Sequence, residues 1–249
     1  SMVQTAYFYF YGNLNDFLSS FHKQKEISYP FGGKSAVKDA IEALGVPHPE
    51  VDVVLVNGQP KNFDYLLQAN DRVAVYPAGT KDAGLTAFSR QATLPVWHKF
   101  ILDVHLGKLA KSLRLLGFDT LYRTDYDDKT IVQIARAEER IILTRDIGLL
   151  KHKTVIWGYW LRSQHSEKQL TEVLAYFKFL PAFRPFTRCL VCNGNLVSVS
   201  KESVLDKLPP KTKKYFQEFY QCQTCERVFW KGSHYDRMEA FVDRLKQIG

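Results

Sequence analysis

Two aspartates each follow a short apolar run that has the character of a buried strand. Asp103 comes directly after residues 100–102, and Asp146 follows residues 141–144 with one arginine between. If these runs are parallel strands of one sheet, both aspartates lie at the edge where ligands bind in open α/β sheets. Carboxylates gathered there would repel one another unless they shared a cation. The pair therefore indicates a divalent-metal site and, with it, nuclease chemistry.

Further acidic residues fall where the same edge of the sheet is expected. Asp128 opens the helix after the intervening strand, Asp125 and Asp127 lie in the loop before it, and Glu138 lies near its end. Carboxylate oxygens suit Mg²⁺ or Mn²⁺, ions that polarise a phosphodiester and lower the pKa of an attacking water. A structural alternative stands beside this interpretation, because Asp128 can cap its helix and a strand-end aspartate can belong to a turn.

Cations recur close to these acids. Lys108, Lys111 and Arg114 follow one another at a spacing of three on the first helix of this region. Such a stripe would suit contact with a phosphate backbone, although a solvated helix face has the same pattern. Arg145 stands directly before the second strand-end aspartate. It is a candidate for contact with a scissile phosphate, or for pairing with a neighbouring carboxylate.

The chain has four cysteines, arranged as two CxxC pairs with none left over. They are Cys189, Cys192, Cys222 and Cys225. Four thiolates match a closed, structural Zn²⁺ site. A redox-active CxxC pair is the alternative interpretation. Because cysteines in a metal pattern fit a reducing compartment, we expect a cytoplasmic protein.

The composition is that of a folded protein with an uneven charge. Of the 249 residues, 45% are hydrophobic and 14% aromatic, which is sufficient for buried cores. Residues 1–80 carry a net charge of −2, whereas residues 81–249 carry +10. The basic excess favours a polyanionic partner. We expect no membrane span and no secretory signal, since no run approaches about 18 apolar residues and the first residues lack a basic start.

Strand and helix signals alternate through residues 96–182, the segment that must position the acids. Apolar runs predict strands at residues 100–103, 118–122, 140–144 and 154–160. Periodic leucines and capping residues predict helices at residues 106–116, 129–139, 147–151 and 166–179. Strand–helix repetition at this spacing predicts a parallel α/β sheet with right-handed crossovers.

The flanking segments have different patterns. Residues 4–79 show the order ββαββ, with an Asn-Gly hairpin signal, which predicts a β-grasp, ubiquitin-like domain. Residues 80–95, rich in small and polar types, have the composition of a linker. Residues 183–249 hold the cysteine pairs and end in an amphipathic helix from about residue 235 to 248. We therefore expect an α/β and α+β multidomain protein.

The stretch VDVVLVNGQPKNFDYLLQANDRVAVYPAG resembles the MoaD/ThiS sulfur-carrier branch of the β-grasp fold. Those carriers need a free C-terminal Gly-Gly. Here Ala78-Gly79 runs on into a further 170 residues. The resemblance thus implies a docking or recognition role for this domain, and a protein partner.

The segments FILDVHLGKLAKSLRLLGFDTLYRTDYDD and AEERIILTRDIGLL, together with the paired cysteines, resemble the Mut-C RNase family. The resemblance covers about residues 97–245, and the N-terminal β-grasp domain is a known companion. It implies a PIN-like nuclease fold with a zinc ribbon, and RNA cleavage that depends on Mg²⁺ or Mn²⁺. Matched to the family pattern, the catalytic acids are Asp103, Asp128 and Asp146.

The resemblance leaves one acid of the PIN pattern without a match. No acidic residue stands in or just after the strand expected at residues 154–160, so Asp125, Asp127 or Glu138 would have to substitute. The family also carries a stretch similar to Trp-x-Gly-Ser-His, which makes Trp230, Ser233 and His234 candidates for RNA contact.

Taken together, these patterns predict a metal-dependent ribonuclease whose zinc ribbon aids RNA binding. Its partner would be RNA, of which tRNA is one structured example. Two alternatives stay open. The chain could be a non-catalytic RNA- or tRNA-binding protein, or a β-grasp interaction factor for sulfur- or tRNA-modification enzymes.

Overall fold

The aromatic run near the N-terminus forms a strand whose side chains alternate between two sides of a sheet. Ala6, Phe8 and Phe10 are almost fully buried, whereas the tyrosines between them are half-buried. This period of two places one face of a strand against a core. The strand predicted from the sequence is confirmed over Gln4–Phe10.

Strands and mostly short helices alternate along the residues that the computed structural model describes, which are 2–94, 98–178 and 183–248. The strands are β1 (Gln4–Phe10), β2 (Ile27–Phe31), β3 (Val51–Val56), β4 (Gln59–Pro60), β5 (Arg72–Pro77), β6 (Lys99–Leu102), β7 (Asp119–Leu121), β8 (Ile141–Thr144), β9 (Gly158–Trp160), β10 (Leu196–Val199), β11 (Phe219–Cys222) and β12 (Val228–Phe229). The α-helices are α1 (Val37–Ala43), α2 (Ala83–Thr86), α3 (Gly107–Leu115), α4 (Asp128–Glu138), α5 (Ile147–Leu150), α6 (Ser166–Tyr176), α7 (Lys201–Val204), α8 (Pro210–Tyr215) and α9 (Ser233–Ile248).

The N-terminal sheet has the strand order β2-β1-β5-β3-β4. β1 pairs antiparallel with β2 and parallel with β5, and β3 pairs antiparallel with both β5 and β4. Val37, Ala40 and Ile41 of α1 join the hydrophobic core of this sheet. A mixed sheet that packs one helix on a face, with β1 and β5 parallel at its centre, is the β-grasp arrangement. The predicted fold of this region is confirmed.

The Asn-Gly signal marks the turn between β3 and β4. Asn57 and Gly58 have φ values of 50° and 78°. A positive φ at both central positions is what a two-residue type I′ hairpin turn requires. β4 adds a strand to the predicted order ββαββ, because the two residues Gln59–Pro60 are too few to give a sequence pattern.

A four-stranded sheet forms from the central residues, in the order β7-β6-β8-β9. β6 pairs in parallel with β7 on one side and with β8 on the other. Phe100, Ile101 and Leu102 are fully buried, as are the residues opposite them in β8. Continuous burial of this kind belongs to a sheet covered on both faces, and it confirms the predicted α/β architecture.

The C-terminal residues form an antiparallel sheet of the strands β10-β11-β12. Its small core contains Val204, Leu208 and Phe219. The insert between the cysteine pairs contains the two short helices α7 and α8. Ser200 caps α7, and proline stands at the start of α8. Both are helix-start signals, but each helix is too short to show periodicity.

Two compact units emerge from the contacts within the chain. One comprises Ser1–Val96 and Thr144–Trp160, and the other comprises Trp97–Leu143 and Leu161–Gly249. Within the first unit, the segment predicted as a linker carries α2 and Arg90, whose guanidinium donates to the carbonyls of Val51 and Ile156. The predicted end of the linker at residue 95 and the predicted start and end of the central domain at residues 96 and 182 lie outside the described residues. Among the described helices, none has the length and apolar character needed to cross a membrane.

Candidate metal centres and nucleic-acid surface

Asp103 directly follows β6 and is bonded to the neighbouring strand. Its backbone N–H donates to the carbonyl of Leu143 at 3.1 Å. Its Oδ1 accepts a hydrogen bond from the N–H of Val104 at 2.7 Å. The side chain is half-buried. Asp103 therefore stands at the carboxyl end of a parallel strand, as the sequence predicts.

Asp146 follows β8 and caps the next helix. Its carboxylate accepts from the N–H of Gly148 at 2.8 Å, and its own N–H donates to the Thr144 hydroxyl at 2.8 Å. The residue is exposed. The neighbouring Arg145 is also exposed, and its carbonyl accepts from the indole N–H of Trp160 at 3.1 Å. The aspartate thus has a structural role as a helix cap, and its role as a metal ligand stays a prediction.

The cap of α4 is Asp127 rather than Asp128, which corrects the sequence-based assignment. The Asp127 carboxylate accepts from the N–H of Thr130 at 2.8 Å, and Asp128 is the first helical residue. The hydrogen bond from Thr130 lowers the pKa of Asp127. Helix capping, the structural alternative to metal binding at Asp128, therefore applies to Asp127 instead. The role of Asp128 as a metal ligand stays a prediction.

Two of the three acids proposed to replace the missing ligand have arginine partners. Asp125 forms a bidentate pair with Arg123, at 2.8 and 2.7 Å. Glu138 accepts from Nε of Arg140 at 2.5 Å. Both carboxylates are exposed.

The predicted cationic stripe on α3 loses its third member. Lys108 and Lys111 are exposed, but Arg114 is buried, with 5% of its surface accessible. Its guanidinium donates to the carbonyls of Thr120, Leu190 and Val191. At 100° per residue, positions six apart on a helix differ by about 120° around its axis, which turns Arg114 to the inner side. Arg114 therefore holds the cysteine-bearing segment, and the phosphate-binding stripe is reduced to the two lysines.

The sequence did not reveal a largely buried polar network that joins β7 to Asn193. This asparagine lies after Cys192 and before β10. Asp119 accepts from Arg140 and from the side-chain amide of Asn193, both at 2.7 Å. The side-chain carbonyl of Asn193 in turn accepts from the N–H of Thr120 at 2.9 Å. Burial would raise the pKa of Asp119, but the hydrogen bonds from Arg140 and Asn193 and the nearby positive charges hold it below its ordinary value.

We expect the variant Asp119→Asn to lower the free energy of unfolding by about 2 kcal/mol. Loss of one partner of a fully buried ion pair costs about 3–5 kcal/mol. The smaller figure applies here because Asp119 keeps 19% exposure and Arg140 retains Glu138. Urea unfolding at pH 7 with saturating zinc measures the change. The matched control is Asp125→Asn, whose exposed pair with Arg123 should leave the midpoint unchanged. Equal urea midpoints for the two variants would show that the Asp119 network does not stabilise the fold.

The four cysteines come together as one cluster. All four sulfurs lie within 4.8 Å of one another, and Sγ of Cys189 is 3.6 Å from Cys225 while Cys192 is 3.4 Å from Cys222. A tetrahedral ion with Zn–S bonds of about 2.3 Å separates its sulfurs by about 3.8 Å. The cluster can therefore bind a metal ion such as zinc. In the described part of the chain, it is the one group of three or more metal-ligating side chains with such spacing, so convergence of the aspartates stays a prediction.

Backbone amides favour the thiolate at Cys222, whereas burial raises the pKa of Cys189 and Cys192. Burial raises the pKa of Cys222, but hydrogen bonds from the N–H groups of Cys225 and Thr224 outweigh it and lower the pKa to about 7. The N–H of Gly194 lies 3.4 Å from Sγ of Cys192. A Cβ at Gly194 would come within 2.8 Å of the Cys222 sulfur, so this turn requires glycine. Amides that face sulfur in this way stabilise a thiolate, which is the form of cysteine that binds zinc.

The predicted RNA-contact residues line a cavity of about 380 Å³ beside the C-terminal sheet. Trp230, Ser233 and His234 all contribute to its wall. Trp230 also packs against the core residue Phe219, with the ring centroids 6.4 Å apart. One part of its indole therefore stabilises the sheet while another part faces the cavity.

Comparison with known proteins gives two family matches. The family profile described as the Mut7-C RNAse domain matches residues 98–242, and the one described as Mut7-C ubiquitin matches residues 3–82. Among solved structures, the small archaeal modifier protein 1 of H. volcanii is 18% identical, covers 30% of this chain and 97% of its own, and has a TM-score of 0.25. A second structure of SAMP1 from Haloferax volcanii is 17% identical, with coverages of 31% and 99% and a TM-score of 0.25. No curated protein matches the chain.

Proposed function

Because the chain belongs to the Mut7-C RNAse family, with a Mut7-C ubiquitin domain at its N-terminus, we propose that it is a metal-dependent ribonuclease of PIN-like type. The family match supports nuclease activity over the residues that contain the parallel sheet. The observation that carries the metal dependence is the pairing of β6 with β8 in parallel, since each strand leads into an aspartate. Ligand sites in such sheets lie beyond the carboxyl ends of the strands.

Asp103, Asp128 and Asp146 are the residues that we propose hold Mg²⁺ or Mn²⁺. Their donor atoms are carboxylate oxygens on half-buried or exposed side chains, which is the chemistry that these hard cations prefer. When bound, such an ion lowers the pKa of an attacking water and stabilises the leaving oxygen. Because Asp125 and Glu138 are paired with arginines, the proposal assigns them to orientation of the loop and helix rather than to a second ion.

The remaining side chains of the proposed site bind and position RNA. Lys108 and Lys111 lie on the helix that follows Asp103, where their ammonium groups can hold phosphates. Arg145 adjoins Asp146, and we propose that it contacts the scissile phosphate. The cysteine cluster, as a structural Zn²⁺ site, fixes the fold of the C-terminal sheet and supports RNA binding without taking part in the cleavage.

The test of this function is the cation dependence of RNA cleavage. We expect protein freed of weakly bound cations to be inactive on labelled RNA, and Mn²⁺ or Mg²⁺ to restore cleavage, because carboxylates alone cannot stabilise the developing negative charge. The zinc content of the same sample is measured as a control, so that loss of structural metal is not mistaken for loss of the catalytic ion. Cleavage that persists without added cations would contradict the proposal.

One specific observation favours a non-catalytic RNA-binding function as the second candidate. Asp146 and Asp127 cap helices, and Asp125 and Glu138 pair with arginines, so each of these acids has a structural role. Salt-sensitive binding of RNA without turnover, under every cation tested, would support that candidate.

For the N-terminal β-grasp domain we propose recognition of a protein partner. The domain exposes Phe21, with 75% of its surface accessible, in a position where it stabilises no core. The residues after Gly79 continue into α2 rather than ending in a free Gly-Gly. This arrangement favours a docking function over sulfur transfer.

A further inference from the structure

One face of the C-terminal sheet carries aromatic rings that do not belong to its small hydrophobic core. We call that core, built on Val204, Leu208 and Phe219, the ribbon core. Tyr220 and Phe229 are opposite each other on β11 and β12. Tyr220 stacks on Phe186, with centroids 4.6 Å apart and planes at 19°, and Phe186 contacts the ring of Tyr235 at 4.8 Å. Val228 and Trp230 pack into the ribbon core, but Phe229, between them in sequence, is not part of that core. Strand alternation thus leaves Phe229 on the aromatic side.

Three of these rings, together with Trp230, line an open cavity that also has a polar margin. Phe186, Phe229, Trp230 and Tyr235 form its aromatic walls, while Arg188, Ser233 and His234 supply polar groups. Its volume of about 380 Å³ falls within the range of about 300–1,000 Å³ seen for small-ligand sites. α9 begins at Ser233, so the positive end of its dipole lies at this margin. Because Arg188 is already paired with Asp119 at 3.7 Å, the N-terminus of α9 supplies the positive potential at this margin. An aromatic cavity beside the positive end of a helix suits a flat, polar ring attached to a phosphate.

A basic groove continues from this cavity. His234 also lines a second cavity, together with Lys108, Lys111 and Arg237. Lys108 lines a third cavity as well, next to His105, which is two residues beyond Asp103. The first and second cavities share His234, and the second and third share Lys108, so the three cavities adjoin one another within the second compact unit. The second and third cavities together form the basic groove.

The cations of the groove are available for phosphates. Among the residues that the structure describes, no carboxylate pairs with Lys108, Lys111 or Arg237. All three side chains are exposed. Glu167 is the acidic residue of the groove, and it lines both the second and the third cavity. The cationic side chains outnumber it, which favours a polyanion.

We propose that the aromatic cavity binds one unpaired base of single-stranded RNA, and that the RNA backbone follows the basic groove toward Asp103. The inference rests on the proposed ribonuclease function and names its substrate class. A base held in a duplex cannot enter the cavity, because its faces are already stacked. The cavity therefore selects unpaired RNA and sets its register, whereas the groove cations bind the backbone of any sequence.

The test is a thermodynamic cycle between Phe229 and one nucleobase. The probe is a fluorescein-labelled 12-nucleotide RNA, and its binding is measured by anisotropy without Mg²⁺ or Mn²⁺, so that cleavage plays no part. We expect Phe229→Leu to weaken binding by about 5- to 100-fold, the range for loss of one stacked base. An abasic nucleotide, placed at each position in turn, should weaken wild-type binding at one position and have no further effect there in the variant.

Control variants separate this result from misfolding and from loss of charge. Phe88→Leu changes an exposed phenylalanine of the first unit and should bind like the wild type. Circular dichroism and zinc content verify that Phe229→Leu is folded. His234→Ala, at an exposed position shared by two cavities, provides a second variant that should also weaken binding. Arg237→Ala should reduce the salt dependence of binding, while Lys23→Ala in the first unit should not.

The outcomes distinguish failure of the proposed base-binding cavity from failure of the proposed ribonuclease function. A nonzero coupling between Phe229 and one base supports the proposal, even if no cation induces cleavage, in which case the ribonuclease function alone fails. Equal binding of wild type and Phe229→Leu, or an abasic effect that the variant leaves unchanged, overturns the proposal even if the protein cleaves RNA.

Discussion

Replacing Asp146 by asparagine is expected to lower the rate of RNA cleavage by about 100- to 1,000-fold while leaving the fold intact. The substitution removes a negative charge from the proposed Mg²⁺ or Mn²⁺ site, and a loss of about 2.7–4 kcal/mol in transition-state stabilisation corresponds to that range. Stability should be retained because asparagine caps a helix as well as aspartate does, and the Gly148 N–H can donate to its side-chain oxygen. Single-turnover cleavage of a labelled RNA in Mn²⁺ measures the effect.

The chain contains a matched control for this substitution. Asp82 caps the four-residue helix α2 and accepts from the N–H of Gly84 at 2.8 Å, the same local arrangement that Asp146 makes with Gly148. Asp82→Asn should therefore cleave RNA at the wild-type rate. Wild-type cleavage by Asp146→Asn would show that this carboxylate is only a cap. Equal losses in both variants would point to an effect of the turn on folding instead of an effect on catalysis.

Asp128 provides an independent check of the same site. Since Asp127 is the cap of α4, Asp128→Asn leaves the Thr130 hydrogen bond in place. A fall in cleavage for Asp128→Asn but not for Asp127→Asn would assign the metal-binding role to the first helical residue.

The elements that position the acids could be predicted because they depend on local patterns. Residues 100–102 and 141–143 are continuously apolar, and such runs belong to strands buried on both faces. The Asn57-Gly58 turn has its own backbone signature. The four cysteines could be grouped because their spacing requires no knowledge of the fold. For the strands and the turn, the sequence signal lies within a few residues of the feature it predicts, whereas for the cysteines the residue type itself is the signal.

The interactions that depend on distant residues could not be predicted in this way. Arg114 looks like part of an exposed stripe until the carbonyls of Leu190 and Val191, more than seventy residues away, are placed beside it. The same holds for Asp119 and Asn193, which are 74 positions apart in the sequence and form a hydrogen bond in the fold. A polar residue is assigned to the surface by its type, and only the tertiary fold shows that a partner compensates for its burial.

Replacing Cys222 by serine is expected to abolish zinc binding and to lower the melting temperature by at least about 10 °C. Cys222 is buried, and the N–H groups of Thr224 and Cys225 lie 3.4 and 3.5 Å from its sulfur. Structural zinc contributes on the order of 10 kcal/mol in isolated zinc-binding peptides, and about 1 kcal/mol shifts the melting temperature by roughly 2–4 °C in a chain of this size. Zinc content and thermal unfolding of the purified variant measure the two effects.

The destabilisation should extend beyond the cysteine cluster, because the cluster positions groups that the parallel sheet uses. Leu190 and Val191 accept from Arg114, and Asn193 bonds both Thr120 and Asp119 of the edge strand β7. Hydrogen exchange should therefore accelerate at the N–H of Thr120 as well as in β11. Gln223→Ser, an exposed change at the next position, is the control and should retain zinc and exchange like the wild type. Zinc retained by Cys222→Ser would show that the Cys222 thiolate is not required as a ligand. Purified wild type that contained disulfides and no metal would show that the cysteine pairs are redox-active instead. Loss of zinc with unchanged hydrogen exchange at Thr120 would show that β7 keeps its conformation without metal in the cysteine cluster.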